Sequence, residues 1–255
     1  MISLGIDIGS SAIKSVLLKD DKIIAHDMVI TGGNNKKQVD RTCNNICAKA
    51  GMEFREVAKI VTTGYGRNAV SFSSKAVSEI ICHAKGMHFI NPRIKTILDI
   101  GGQDTKAIRL DDVGNISDFV MNDKCAAGCG KFLEVVARSL ELELGDLGKI
   151  SNRSTQEKKI SSMCVVFAET EIVSLVAQGT PVEDIVKGVI SSISDRAISL
   201  MKSVGLLEPI GMCGGVTNNI GVIETIEEKL QTKLLIPENA QHIGALGAAI
   251  IAHNG

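Results

Sequence analysis

The sequence predicts an α/β protein that is built from two related halves. Two observations support this fold class: a strand-turn-strand pattern occurs twice, and a third glycine cluster follows an apolar run and opens a helical stretch. In the first copy, residues 4–18, apolar positions alternate on either side of a Gly-Ser turn. The second copy repeats the Asp-Ile-Gly sequence and the later lysine, because Asp99 follows Asp7 and Lys106 follows Lys14 by the same 92 residues. Two related halves are the simplest explanation of that constant offset.

Each predicted hairpin has the chemistry of a phosphate-binding turn. Glycine at the turn lets backbone N–H groups approach an anion, small hydroxyls add donors, and the following lysine supplies a positive charge. One such turn is most often purely structural, whereas two copies at a constant offset favour phosphate binding. The candidate nucleotide contacts are Gly9, Ser10, Ser11, Ala12, Ile13 and Lys14 in the first turn, and Gly101, Gly102 and Gln103 in the second.

Acidic side chains next to both turns predict a magnesium site. Asp7 and Asp99 precede the two turns, and hard cations such as Mg²⁺ prefer carboxylate and water oxygens. From position alone, Gln103 or Asp104 is the candidate for orienting an attacking water. These four residues are the candidate catalytic residues.

The third glycine cluster, residues 210–219, has the pattern of a nucleoside-binding turn, with Gly214, Gly215 and Val216 as candidate contacts. The alternative is a strand-to-helix connection in which glycine only relieves crowding. The closing segment, which begins at Gln241, places small residues on one side of a final helix and allows another backbone to approach closely. Gln241 is a further candidate nucleotide contact, and a purely structural role for this segment is equally compatible with the pattern.

Length, charge and composition exclude several classes of partner. The 255 residues, 44% of them hydrophobic, suffice for one large or two small cores without covalent cross-links. A net charge of −1 gives no field that would attract nucleic acid or an anionic membrane. The N-terminus lacks the features of a signal peptide, and no segment reaches the ~20 apolar residues that span a bilayer. The sequence therefore predicts a soluble, cytoplasmic protein that binds neither nucleic acid nor membrane.

The order of these motifs resembles the actin-like ATPase superfamily, which includes sugar kinases, acetate kinase and the Hsp70 ATPase domain. Its phosphate-1, phosphate-2 and adenosine motifs correspond to residues 6–14, 97–106 and 210–216, so the resemblance covers the whole chain. It implies an α/β, ribonuclease H-like fold with two similar domains and an ATP cleft between them. We place the domains at residues 1–92 and 93–255, and leave open whether the last helix returns to the first domain.

Two of the seven cysteines differ from the others in their sequence context. In a reducing compartment, cysteines serve core packing, metal ligation or redox chemistry rather than disulfides. Cys125 and Cys164 each precede a segment with helical apolar spacing, which predicts that both lie near helix starts. Helix N-termini stabilise thiolate and the negative charge of an iron-sulfur cluster. Both are therefore candidate metal ligands, although an isolated buried cysteine is usually structural.

Four sequence strings resemble the activators of 2-hydroxyacyl-CoA dehydratases and the related ATPase subunits of benzoyl-CoA reductase. They are Thr-Gly-Tyr-Gly-Arg at 63–67, Ile-Gly-Gly-Gln-Asp at 100–104, Asn-Asp-Lys-Cys-Ala-Ala-Gly at 122–128 and Cys-Val-Val-Phe-Ala-Glu at 164–169. The resemblance implies that Cys125 and Cys164 bind one [4Fe-4S] cluster between two identical subunits. A cubane cluster takes four thiolates, so two from each chain agree with a homodimer.

The same resemblance implies ATP-dependent electron transfer. The implied cofactors are ATP or ADP, Mg²⁺ and one [4Fe-4S] cluster per homodimer. The implied partners are a ferredoxin or flavodoxin electron donor and an iron-sulfur acceptor enzyme such as a 2-hydroxyacyl-CoA dehydratase. Three alternatives stay open: a reductase of a benzoyl-CoA reductase-like or other double-cluster protein, a small-molecule kinase on the same fold, and a non-catalytic nucleotide sensor. A kinase would have no use for Cys125 and Cys164.

Cys129 departs from the pattern, because such activators usually carry Thr at this position. It follows Cys125 by four residues, which on a helix would place both on one face. Cys129 is therefore an alternative ligand, a redox-sensitive neighbour or a Thr-sized replacement, and we favour the last. The remaining cysteines are predicted not to be ligands: Cys43 and Cys47 on a helix predicted over residues 39–50, Cys82, and Cys213. Tyr65, in the Gly-Tyr-Gly-Arg turn, is a candidate hinge or domain contact.

Overall fold

A computed structural model describes residues 1–123, 125–156, 158–160 and 164–255. By its contacts the chain divides into two compact units. The first consists of Met1–Ile97, Leu110–Ser117 and Pro237–Gly255, and the second of Leu98–Arg109 and Asp118–Ile236. The functional domains at residues 1–92 and 93–255 stay a prediction. None of the described helices is long and apolar enough to span a lipid bilayer.

Strands and helices occur in both units. The strands are β1 (Ile2–Ile8), β2 (Ala12–Lys19), β3 (Lys22–Ile30), β4 (Lys59–Thr63), β5 (Lys75–Ala76), β6 (Thr96–Ile100), β7 (Thr105–Leu110), β8 (Ile116–Asn122), β9 (Ile210–Cys213) and β10 (Leu234–Leu235). The helices are α1 (Asn35–Lys49), α2 (Glu79–Ile90), α3 (Gly130–Ser139), α4 (Leu147–Ser151), α5 (Val165–Ala177), α6 (Val182–Ser203), α7 (Ile220–Leu230) and α8 (Ile243–Asn254).

The two sheets have the same strand order. It is β3-β2-β1-β4-β5 in the first sheet and β8-β7-β6-β9-β10 in the second. In the first sheet β1 and β2 form an antiparallel hairpin, β3 continues it antiparallel to β2, and β4 runs parallel to β1. The shared order confirms the predicted α/β fold with two related halves.

The core of the first unit lies on both faces of β1. Leu4, Ile6 and Ile8 are fully buried in one cluster, and α1 packs against β2 and β3. Helix α8 packs against β1, β2 and β4. A Cβ at Gly5 would lie only 1.9 Å from the carbonyl oxygen of Ala245, so the strand and the helix backbone are in direct contact. The predicted close approach of the last helix to another backbone is confirmed.

The second unit has a longer connection between its third and fourth strands. In the first unit 28 residues and α1 connect β3 to β4, whereas in the second 87 residues, including α3 to α6, connect β8 to β9. Helix α6 is central, since Ile185, Val189 and Ile193 are fully buried in the core. Cys125 and Cys164 both lie in this longer connection.

Side-chain caps set where two of the helices begin. Helix α1 starts four residues before the predicted position, because the Asn34 side chain accepts a hydrogen bond from the Lys37 N–H at 3.0 Å. Asn219 caps α7 in the same way, by accepting from the Val222 N–H at 3.2 Å. Both caps satisfy an N–H group that has no partner within its own helix.

Candidate nucleotide-binding site and cysteine site

The first hairpin joins β1 to β2 in a tight turn. The Gly9 N–H donates to the Ala12 carbonyl at 3.1 Å, and the Thr31 hydroxyl donates to the Gly9 carbonyl at 2.8 Å. A Cβ at Gly9 would lie 2.8 Å from the Ala12 oxygen, so this turn requires glycine. Ser10 is partly buried and Ser11 is exposed. The predicted hydroxyl donors are therefore on the accessible side of the turn.

Asp7 and Lys14 form an ion pair beside this turn. They are opposite each other in the β1-β2 ladder, with the Lys14 Nζ 3.1 Å from the Asp7 Oδ2. The Lys14 side chain is 19% exposed and that of Asp7 9%, so the lysine keeps access to a ligand. The Ile13 side chain, in contrast, is fully buried in the core. Any nucleotide contact at Ile13 would therefore come from its backbone.

The second hairpin closes in the same way but holds a more buried cluster of charges. The Gly101 N–H donates to the Asp104 carbonyl at 2.9 Å. The Lys106 Nζ lies 3.1 Å from the Asp99 Oδ2 and 2.8 Å from the Asp104 Oδ2. The contact with Asp104 is an ion pair, and the contact with Asp99 is also a hydrogen bond. All three side chains are almost completely buried.

Acidic groups outnumber basic ones in this cluster. Two carboxylates face one ammonium group where water has little access, and uncompensated buried charge is costly. Mg²⁺ would offset the excess negative charge, and carboxylate is a ligand it prefers. Asp99 thus fits the predicted magnesium role. Of the two candidates for orienting water, Asp104 faces Lys106, whereas Gln103 is exposed on the turn.

The third motif forms a turn directly after β9 that lies against Asp99. Gly214 has φ +91°, and a Cβ there would lie 2.5 Å from the Asp99 Oδ1 and 2.3 Å from the Ile100 carbonyl oxygen. This position therefore requires glycine. Gly215 has open space on its Cβ side, whereas the Val216 side chain packs into the core. Of the predicted contacts in this motif, Gly215 is the one that is most open to a nucleoside.

A turn in the first unit has the same geometry, although the sequence pattern did not predict the relation. Gly64 has φ +90°, and a Cβ there would lie 2.6 Å from the Asp7 Oδ1 and 2.4 Å from the Ile8 carbonyl oxygen. Gly64 directly follows β4, the strand next to β1, as Gly214 directly follows β9, the strand next to β6. The offset of 92 did not reveal the relation, because the longer connection in the second unit separates the two glycines by 150 residues. A glycine immediately after the fourth strand is the signal that would have identified it.

The start of α8 also approaches Asp7. A Cβ at Gly244 would lie 3.4 Å from the Asp7 Oδ2. Gln241 is partly buried in the 3-10 turn Ala240–His242, immediately before this helix. Tyr65 is 52% exposed in the turn after Gly64. The role of Gln241 in nucleotide binding and that of Tyr65 as a hinge stay predictions.

Burial separates the seven cysteines into two groups. Cys164 is exposed and Cys125 is partly buried, whereas the buried ones are Cys43, Cys47, Cys82, Cys129 and Cys213. Burial raises the thiol pKa of all five, and raises the pKa to about 12 for Cys43 and Cys82. A metal ligand must be a thiolate, so a raised pKa disfavours these five as ligands. The two thiols with solvent access are the predicted ligands.

The backbone around the two accessible cysteines differs. Cys164 is the N-cap of α5, at the predicted helix start, and its carbonyl accepts from the Ala168 N–H at 2.9 Å. Cys125 precedes the 3-10 turn Ala126–Gly128, and α3 begins only at Gly130. The placement of Cys125 and Cys129 on one helical face is therefore wrong, because Cys129 is itself the N-cap of α3. Lys124, in the third resemblance string, lies outside the described residues.

Comparisons with known proteins cover the whole chain. Residues 4–252 match the BadF/BadG/BcrA/BcrD ATPase family. The chain is 44% identical to the activator of lactoyl-CoA dehydratase of Anaerotignum propionicum over 253 residues, which cover 99% of this chain and 98% of that protein.

Two solved structures are similar over nearly their full lengths. The (R)-2-hydroxyglutaryl-CoA dehydratase component A of Acidaminococcus fermentans has a TM-score of 0.95 at 41% identity, covering 100% of this chain and 98% of that one. The activator of the 2-hydroxyisocaproyl-CoA dehydratase from Clostridium difficile, solved with bound ADPNP, has a TM-score of 0.94 at 41% identity, covering 100% and 95%. The similarity therefore extends over the stretches of this chain that carry the three glycine motifs and the two accessible cysteines.

Proposed function

Because the chain belongs to the BadF/BadG/BcrA/BcrD ATPase family and has the actin-like ATPase fold, we propose that it activates a 2-hydroxyacyl-CoA dehydratase by ATP-dependent electron transfer. The observation that carries this proposal is the presence of two kinds of site in one chain. Phosphate and nucleoside turns are combined with two solvent-accessible thiols, and these thiols lie in the connection by which the second unit departs from the first. A small-molecule kinase needs the turns but not the thiols.

Cys125 and Cys164 would hold one [4Fe-4S] cluster between two copies of the chain. The burial of the other five cysteines leaves two accessible thiols per chain, and a cubane cluster takes four thiolates. Cys164 caps a helix of 13 residues, whose unpaired N–H groups favour thiolate over thiol. When bound, the cluster would accept and donate one electron at a time. The homodimer follows from this ligand count.

The nucleotide would bind as Mg-ATP at the three glycine turns. Asp7 and Asp99 would orient the hydrated Mg²⁺, and Lys14, with its partly exposed ammonium group, would contact the phosphates. The exposed Gln103 would position the attacking water. ATP would thereby be held by backbone donors and by charges that are already in place, which is the main catalytic requirement for phosphoryl transfer.

ATP could supply enough free energy for a difficult reduction. If the nucleotide biases a two-state element by ~5.5 kcal/mol, the same free energy corresponds to roughly 240 mV for one electron, at ~59 mV per tenfold change. A ferredoxin or flavodoxin would be the electron donor, and the iron-sulfur cluster of the dehydratase would be the acceptor. A reducing cytoplasm suits this reaction, because an accessible cluster is easily oxidised.

Iron content of anaerobically purified protein tests the proposal. We expect about four irons per dimer and visible cluster absorption in the wild type, loss of both in Cys125→Ala and in Cys164→Ala, and neither loss in Cys43→Ala. Asp7→Ala should keep the iron and lose ATP turnover, because the hairpin and the thiols are separate in the chain. Undiminished iron in the Cys164 variant would overturn the ligand assignment. A colourless protein that phosphorylates a small molecule would favour the kinase.

A further inference from the structure

The second phosphate turn is bonded directly to the segment that carries Cys125. The N–H groups of Gly130 and Lys131 donate to the carbonyls of Gly101 and Gly102 at 2.9 and 2.8 Å. The turn of the second hairpin, residues 101–104, therefore receives the first two N–H groups of α3. These two hydrogen bonds lie wholly within the second unit. They connect the predicted nucleotide contacts Gly101 and Gly102 to the segment that follows Cys125, a predicted cluster ligand.

Two buried side chains complete this connection. The Thr105 hydroxyl donates to the Gly128 carbonyl at 2.6 Å, and the Cys129 thiol donates to the Gly102 carbonyl at 3.2 Å. Both side chains are almost completely buried, at 1% and 0% exposure. Water therefore cannot replace either donor if the turn moves. Burial raises the pKa of the Cys129 thiol, which keeps the proton that this hydrogen bond uses.

The segment that precedes Cys164 is attached elsewhere. The Asp184 carboxylate of α6 accepts from the Ser154 hydroxyl at 2.8 Å and from the Thr155 and Gln156 N–H groups at 3.2 Å each. The Lys158 N–H donates to the Asp184 carbonyl at 3.2 Å. These bonds hold the described residues 154–156 and 158 to α6. A displacement of the turn is therefore expected to reach Cys125 before it reaches Cys164.

We propose that Thr105 and Cys129 are positioning residues that transmit the nucleotide state of the second phosphate turn to Cys125. This inference rests on the proposed function for its biological meaning, but not for its test. Phosphate contacts at Gly101 and Gly102 change the position of their carbonyls, and the four hydrogen bonds carry that change to residues 128–131. Cys125, three residues before Gly128, moves with them. Residue 129 needs only a side chain that fits this space and donates a hydrogen bond to the Gly102 carbonyl.

The test uses cluster-free protein, so that it does not depend on bound iron. Each sample is saturated with ADP or with ADPNP, pulsed with iodoacetamide, and digested, and the alkylation of each cysteine is followed by mass spectrometry. In the wild type, we expect the alkylation rate of Cys125 to differ about fivefold between the two nucleotides, and that of Cys164 to change less. Thr105→Val and Cys129→Val should reduce the ratio for Cys125 to about 1, because they remove the donor and keep the bulk.

Two variants serve as controls. Cys129→Ser keeps a donor and should keep the wild-type ratio. Ser151→Ala removes another buried hydroxyl of the same unit, which donates to the Gly148 carbonyl at 2.8 Å and does not bond to the phosphate turn. This variant should also keep the wild-type ratio. Nucleotide titrations confirm saturation in every variant.

Three results would overturn the inference. The first is an equal Cys125 rate with ADP and ADPNP in the wild type, and the second is an unchanged ratio in both valine variants. The third is loss of nucleotide binding in both valine variants, which would mean that these bonds only build the turn. None of these results bears on iron content. A wild type that binds no iron, but shows the nucleotide-dependent Cys125 rate, would refute the proposed function and leave the connection intact.

Discussion

The two predicted phosphate-binding hairpins place their lysines in different surroundings. In the first, the Lys14 ammonium group is 3.1 Å from one carboxylate and its side chain is 19% exposed. In the second, Lys106 contacts the carboxylates of both Asp99 and Asp104 and is 2% exposed. The same sequence motif thus provides one lysine with partial solvent access and another that belongs to a buried charge cluster. A repeated motif does not imply a repeated role for each of its residues.

Two sequence differences between the copies distinguish the hairpins, and the first of them adds the second carboxylate beside Lys106. At the offset of 92, Asp104 corresponds to Ala12, so the second turn has a carboxylate where the first has a methyl group. Thr105 corresponds to Ile13, so the second turn has a hydroxyl that bonds to Gly128 where the first has an apolar side chain in the core. In the second hairpin, Asp104 therefore pairs with Lys106, and Thr105 bonds to the long segment between β8 and β9. The first hairpin carries apolar groups that pack beneath it.

Removing each lysine should give the largest difference between the hairpins. Lys106→Ala leaves two buried carboxylates without their cation, which should lower the free energy of unfolding of the second unit by about 3–5 kcal/mol. Lys14→Ala should cost the first unit less, about 1–3 kcal/mol, because it leaves one carboxylate rather than two without a cation, and should also weaken nucleotide binding. Hydrogen exchange of the β6-β7 and β1-β2 amides measures each unit separately. Equal losses in the two variants would contradict the comparison.

The glycines after the fourth strands should behave alike, which tests the similarity of the two units. Gly64→Ala and Gly214→Ala each place a Cβ within 2.4 Å of a carbonyl oxygen at a positive φ. Each should cost about 2–4 kcal/mol from strain and overlap. Gly215→Ala is the matched control, because its Cβ would meet open space, and its effect on stability should be within about 0.5 kcal/mol. Chemical denaturation of the three variants measures these losses of stability. A small loss in Gly64→Ala beside a large loss in Gly214→Ala would show that the two turns are not equivalent.

Acid should weaken the first unit through His242, next to α8. Burial lowers the pKa of His242 to about 4 from 6.5, with a further contribution from His26, while the Asp27 backbone opposes it. Because the folded pKa is the lower one, the unfolded state takes up the proton first, and stability falls as the pH drops from 6.5 toward 4. After discounting for partial solvent access, the loss is about 2 kcal/mol. Unfolding of the wild type and of His242→Gln across this pH range checks it, since the variant should show a smaller slope.

Making the second turn resemble the first should have the smallest effect. Asp104→Ala removes one of two carboxylates near Lys106 and leaves the hydrogen bond to Asp99 at 3.1 Å. The expected change in stability of the second unit is within about 1 kcal/mol, because the loss of this ion pair and the relief of excess buried negative charge oppose each other. Hydrogen exchange of the β6-β7 amides measures it against Lys106→Ala. A loss as large as that of the lysine variant would show that Asp104, rather than Asp99, is the main partner of the buried ammonium group.

Local sequence determined the parts of this protein that depend on neighbours along the chain. Alternating apolar residues and glycine turns gave the hairpins, the constant offset gave the two related halves, and helical spacing after Cys164 gave the start of α5. Cys43, Cys47, Cys82 and Cys213, which the sequence predicts not to be ligands, are all buried. These features follow from periodicity and from residue type, which are properties of short segments.

Tertiary structure decided the features that depend on contacts between distant segments. The constant offset does not relate Gly64 to Gly214, because the two connections differ in length. The structure shows the relation, because each glycine lies against the aspartate of its own hairpin. Helical spacing could not show that Cys125 lies before a 3-10 turn, because the start of α3 is set by its bonds to Gly101 and Gly102. The burial of Lys106 likewise depends on which carboxylates the fold brings to it. Sequence specifies which groups are present, whereas the distances and solvent access that set their charge and reactivity arise only when the chain is packed.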